Sequence, residues 1–243
     1  MTPAEPDITH DAFLGGRLTL AQPRKGFRAG SDAVLLAAAI PAMDGTVIEA
    51  GCGAGAAMLC LARRVPGVQV TGLEVQADMA ALAEQNIIAN DLPDRARVVV
   101  GDIAAPPAEF TAGTFDHGLA NPPFFTTAHD RSPLAARALA RTEGDADTLA
   151  RWIGFLQRAV RQGGTITLIH RAERLEELQA LLPGATILPL LPRAGQKPKR
   201  VLVRAINGGS GVAQTLPGFV LHDESGYTAA AQDILRHGQA LVF

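Results

Sequence analysis

Short apolar runs alternate along this chain with longer stretches of helical periodicity. Residues 46–50 (TVIEA), 68–74 (VQVTGLE), 96–101 (ARVVVG), 115–120 (FDHGLA) and 165–170 (TITLIH) predict strands, with two more at 185–190 (ATILPL) and 200–205 (RVLVRA). Between them, helices are predicted over about 56–64, 76–90 and 146–162, and a last one near 228–236. An earlier helix starts at Ser31-Asp32, read as its N-cap, and stops before Pro41, which disfavours helical backbone in the residue before it. Several strands are apolar throughout rather than alternating, which implies burial on both faces. Strands interleaved with helices predict an α/β fold, a mostly parallel seven-stranded sheet flanked by helices. Residues 126–145 carry no such pattern and read as a loop.

Composition narrows the class. Of 243 residues 47% are apolar and 19% charged, which excludes a disordered chain and supplies a full core. No repeat or low-complexity tract divides the chain, so residues 1–243 are expected to form a single domain. The longest apolar stretch, 33–43, is too short to span a bilayer, and the polar, acidic start lacks a signal-peptide pattern. Cys52 and Cys60 cannot build a disulfide framework, and no Cys/His grouping has metal-site spacing. A cytoplasmic protein without metal or membrane partner is the expectation. The net charge of −2 hides two acid-free basic clusters: Arg17, Arg24, Lys25 and Arg28, and Arg193, Lys197, Lys199, Arg200 and Arg204. Either alone reads as a solvated face; two in one chain point toward an anionic partner.

The chemistry-bearing residues follow strand ends, where open parallel sheets bind ligands. After the first strand comes Glu49-Ala50-Gly51-Cys52-Gly53-Ala54-Gly55. Glycines at alternate positions permit a tight turn and close approach of a ligand to the main chain, and the next helix begins with free N–H groups. The spacing departs from G-x-G-x-x-G, and no lysine follows as in a triphosphate-binding loop. Glu74 ends the second strand, placed to accept from ribose hydroxyls or to sit as an ordinary strand-end acid. Asp102 ends the third, placed for an adenine amine or for a turn, with Ile103 beside it to pack on a ring. Together these describe an adenosine site. Asn121-Pro122-Pro123-Phe124 ends the fourth strand. The prolines hold the backbone extended, so the Asn121 amide and the Pro122 carbonyl can both accept from one planar amino group. Phe124 offers a stacking face. The six histidines are scattered and receive no role, and Trp152, with Leu149, Ile153 and Leu156, fits the buried face of its helix.

The glycine loop, Glu74, Asp102 and NPPF resemble the class I S-adenosylmethionine-dependent methyltransferases that modify amino groups. The segments GGRLTLAQPRKGFRAGSDAVLLAAA, NPPFF, KPKRVLVRA and LHDESGYTAAAQDILRHG further resemble the bacterial valine-tRNA adenine-N6 methyltransferases, over roughly 14–241. The resemblance implies a Rossmann-like methyltransferase fold and S-adenosylmethionine as cofactor. Arg28, Glu49, Gly51, Cys52, Gly53, Gly55, Glu74, Val75, Asp102, Ile103 and Asn121 would bind it. Asn121, Pro122, Pro123 and Phe124 would carry the chemistry, and residues 1–30 would cover the cofactor pocket. It also implies tRNA as partner, with Lys25, Lys197, Lys199 and Arg200 on phosphates. Phe124 stands where many relatives have tyrosine, so stacking survives and a hydroxyl contact does not. NPPF-type motifs also serve methylation of a glutamine side-chain amide in release factors and of adenine in DNA or ribosomal RNA; the basic clusters favour nucleic acid.

Overall fold

The computed structural model describes residues 7–41, 44–110, 113–123 and 145–243. The chain opens with a hairpin, β1 (Ile8–Phe13) and β2 (Leu18–Pro23), and then helix α1 (Ser31–Ala39). Next come β3 (Gly45–Ala50), α2 (Ala56–Arg64), β4 (Val68–Glu74), α3 (Ala77–Ala89), β5 (Ala96–Val100) and β6 (Phe115–Ala120). Helix α4 (Asp145–Ala159) leads into β7 (Val160–Arg171), followed by α5 (Leu175–Leu181), β8 (Thr186–Arg193) and β9 (Arg200–Ile206). Short strands β10 (Gln214–Thr215), β11 (Phe219–Asp223) and β12 (Gly226–Tyr227) precede helix α6 (Ala229–Leu235).

The expected seven strands form the body of the main sheet, in the order β8-β9-β7-β6-β3-β4-β5. Strands β7, β6, β3, β4 and β5 pair in parallel, and β9 runs antiparallel to both β7 and β8. β11 and β12 extend the β8 edge and β10 also pairs with β8, giving ten strands where the sequence pattern predicted seven. These additions are too short, and their residues too exposed, to carry a periodic signal.

Each face of the sheet has its own apolar cluster. Val47 of β3 joins α1, α2 and the hairpin on one side, while Ile48 and Ala50 join α4 and α5 on the other. That two-sided burial is why the central strands lack polar alternation. No helix among the described residues is long and apolar enough to cross a membrane.

Three local readings change. Ser31 does not cap α1: Gly30 holds the cap position, no side chain closes the helix end, and Ser31 lies in the first turn. Helix α4 ends at Ala159 rather than Gln162, because a distant side chain stops it. Asn207 Nδ2 donates to the carbonyls of Gln157 (2.9 Å) and Val160 (2.7 Å), leaving Val160 to begin β7. Residues 8–23 form a hairpin that the sequence pattern does not announce. It docks on α3 through two asparagines one helical turn apart, which pair with β2 as a neighbouring strand would. Asn86 exchanges bonds with Ala21 (N–H to Oδ1 2.8 Å, Nδ2 to O 2.9 Å), and Asn90 does the same with Thr19 (3.0 and 2.8 Å).

Candidate active site

In this sheet the chain order reverses at β3: β4 and β5 lie to one side, β6 and β7 to the other. The carboxyl ends of β3 and β6 therefore flank the switch point, where such sheets bind ligands. Ala50 of β3 is paired in register with Ala120 of β6. The residues that follow, Gly51 and Asn121, thus leave adjacent strands side by side, about 5 Å apart by strand spacing.

The loop from β3 to α2 is shaped by left-handed glycines. Gly51, Gly53 and Gly55 have φ of +62°, +55° and +87°. Gly51 N–H bonds to the Leu73 carbonyl at 2.7 Å, which ties the loop's first residue to the end of β4. Over Gly53 the space is open: an added Cβ would meet only Met79 Cε, at 3.8 Å. That leaves its backbone accessible to a ligand.

Three acids surround this loop in different states. Glu74 is 5% exposed; its Oε2 accepts from Gly53 N–H (2.8 Å) and its Oε1 from Gln76 N–H (2.9 Å). Each oxygen keeps a lone pair for a further donor. Glu49 is buried behind the loop, where its Oε2 accepts from Met58 N–H at 2.8 Å and anchors the start of α2. Burial, aided by the nearby Glu74 charge and opposed by the Met58 bond, pushes its carboxyl up to about 8. Asp102 is exposed, and its Oδ1 accepts from Ala104 N–H (2.9 Å), forming a turn while keeping acceptor capacity.

Apolar side chains line up with these acids. Val75, next to Glu74, is half exposed despite its apolar character, and Ile103, next to Asp102, is partly exposed. Cys52 turns the other way. It is buried, its Sγ lies where a Cβ on Gly72 would sit, and burial raises its thiol well above the ordinary range. Only its backbone belongs to the loop surface.

Asn121 closes the site on the β6 side. Its Oδ1 is buried yet has no hydrogen-bond partner among the described residues. A buried carbonyl oxygen left without a donor is costly, and such orphans mark functional positions. Pro122 is buried and Pro123 partly so. Phe124 and most of the 126–145 stretch lie outside the described residues.

The basic residues divide. Arg28 is drawn into the hairpin, where it pairs with Asp11 (2.7 Å) and donates to Thr9 Oγ1 (2.6 Å). Arg200 pairs with Asp32 at 3.0 Å, which ties the second basic cluster to the first turn of α1, four residues beyond Arg28. Lys25, Lys197 and Lys199 are exposed. Phe27, between Lys25 and Arg28, is 67% exposed; its apolar character alone gave no hint that it lies on the surface.

Open backbone over a glycine loop, two strand-end carboxylates with flanking apolar side chains, and an orphaned acceptor across the switch point fit S-adenosylmethionine beside an amino group. Comparison with known proteins agrees. The methyltransferase small-domain family profile matches residues 25–146. A tRNA1(Val) (adenine(37)-N6)-methyltransferase of Tolumonas auensis is 32% identical over 173 residues, covering 70% of each chain. An enzyme of the same name from Porphyromonas gingivalis is 29% identical over 204 residues, covering 79% of each. Among solved structures, one described as a predicted O-methyltransferase from Agrobacterium tumefaciens superposes with a TM-score of 0.72 at 24% identity, over 87% of this chain and 98% of that one, a likeness of fold. The chain belongs to the methyltransferase small-domain family and is an S-adenosylmethionine-dependent methyltransferase.

Proposed function

We propose that this enzyme methylates the exocyclic N6 amine of adenine in tRNA, at the nucleotide next to the anticodon. The observation that carries this reading is the buried, unpartnered Oδ1 of Asn121 at the switch point. An amino group donating to it satisfies the orphan and is itself held at a fixed angle. The Pro122 carbonyl accepts the amine's second N–H, which draws the nitrogen out of conjugation and directs its lone pair. Phe124 stacks on the ring. The Gly51–Gly55 loop, Glu74, Val75, Asp102 and Ile103 hold the cofactor, Glu74 by ribose hydroxyls and Asp102 by the adenine amine. When bound, S-adenosylmethionine supplies a methyl group already activated on a sulfonium. The protein's part is to align the nitrogen with that carbon and to exclude water. The amine's proton departs after transfer, so no strong base is required.

The names of the relatives support tRNA as substrate. So do the exposed basic residues. Lys25, Lys197 and Lys199 are the phosphate contacts, whereas Arg28 and Arg200 are held in ion pairs with Asp11 and Asp32. Labelling total tRNA with methyl-tritiated cofactor and mapping the product tests the reading. Label in N6-methyladenosine of one tRNA beside the anticodon is the expected result. Label in a release-factor glutamine, or in ribosomal RNA and not tRNA, contradicts it.

A further inference from the structure

Helix α4 buries Leu149, Ile153, Phe155 and Leu156 against the sheet, and Trp152 packs against the same cluster. Trp152 also reaches further. It is only partly buried, and the outer edge of its indole rests on Gly51. A Cβ on Gly51 would lie 2.1 Å from Trp152 Cη2 and 2.7 Å from Cζ3, far inside contact distance. Gly51 is therefore required twice, for its φ of +62° and for the ring above it. Gly51 opens the cofactor loop and lies beside Asn121, the residue after Ala120 in the register of β3 and β6. The largest side chain of α4 thus lies against the first glycine of the loop, whose neighbour on the next strand is the amine acceptor, and part of its surface is uncovered.

We propose that Trp152 is a wall of the cofactor cleft that touches the methionyl half of S-adenosylmethionine and positions it against the target amine. The inference rests on the cofactor lying at the β3 loop. A broad, rigid aromatic contact there shields the reacting centre from water, and the indole costs little conformational entropy to hold in place. Trp152 acts as a positioning residue; no proton moves on it.

Because Trp152 is the chain's single tryptophan, its emission reports this contact directly. The full-length protein is titrated with S-adenosylhomocysteine, which binds without turnover, and with adenosine, which lacks the amino-acid half. Binding is followed in parallel by calorimetry. Saturable change in tryptophan emission with S-adenosylhomocysteine, at the calorimetric midpoint, and little change with adenosine are expected. Trp152→Leu should lose roughly tenfold in calorimetric affinity for S-adenosylhomocysteine, Trp152→Phe less, and neither for adenosine. Calorimetric binding of S-adenosylhomocysteine with unaltered emission overturns the role of Trp152 and leaves the cofactor loop in place. Absence of calorimetric binding in the wild-type protein overturns the placement of the cofactor itself, and with it this inference.

Discussion

Glu49 shows how two acids beside one glycine loop do different work. Glu74 and Glu49 both stand near the glycines, yet Glu74 ends its strand at the cleft while Glu49 lies one residue inside β3, under the start of α2. Burial keeps the Glu49 carboxyl protonated up to about pH 8, against an ordinary value of 4.5. Between those values the native state holds a proton that the unfolded chain has released, so the unfolded state is favoured progressively as pH rises. The stability Glu49 contributes is full below pH 4.5 and is lost as pH climbs through about 8. Glu49→Gln keeps the acceptor for Met58 N–H and removes the titration. In urea unfolding across this range, the wild-type protein should lose stability relative to Glu49→Gln as pH rises, with the difference levelling off above about 8. A pH-independent difference between the two proteins would mean that Glu49 is ionised in the native state. The sequence placed Glu49 among the cofactor contacts because it belongs to the loop motif; only its depth in β3 shows that its bond runs to α2.

At the scale of elements, the unexpected feature is the hairpin held by asparagines. Asn86 Nδ2 donates to the Ala54 carbonyl (2.9 Å) as well as to Ala21, so one buried side chain joins β2, α3 and the glycine loop. Asn90 binds β2 and its own helix but does not reach the loop. Asn86→Ala strands polar groups of Ala21 and Ala54 in the interior and should cost about 3 kcal/mol of folding stability. It should also weaken S-adenosylmethionine binding by freeing the loop at Ala54. Asn90→Ala should lower stability with cofactor affinity nearly unchanged. Equal cofactor affinity in the two variants, by calorimetry, would show that hairpin and loop are uncoupled. The strands β3 to β9 were legible as short, mainly apolar runs, and the ends of β3, β4 and β5 also carry glycine or acid. The hairpin was not, since its pairing partners are polar side chains 65 and 71 positions away and leave no periodicity. The end of α4 was missed for the same reason: Asn207 that caps it lies 47 residues beyond Val160.

Across the whole molecule, topology converts distant motifs into one cleft. The glycine loop follows β3, NPPF follows β6, and the two strands are neighbours, so residues 70 apart in the chain leave the sheet side by side. The motif residues Gly51, Glu74, Asp102 and Asn121 were all legible as strand-end residues, because the parallel sheet gathers strand ends at a single edge. Helical spacing places Trp152 on the packed face of α4, where it lies; that its ring also meets Gly51 was not legible. The pairing of Arg200 with Asp32, 168 positions away, was likewise invisible before the fold. The proposed chemistry depends on Asn121 holding an amine through the transition state while the cofactor binds elsewhere in the cleft. The most direct test pairs two measurements on Asn121→Ala, calorimetric affinity for S-adenosylmethionine and single-turnover methyl transfer to tRNA. Affinity within about twofold of wild type, with transfer slowed at least about a hundredfold, is the predicted outcome for loss of an oriented transition-state hydrogen bond. Transfer at near the wild-type rate would contradict the account and reduce NPPF to a structural turn.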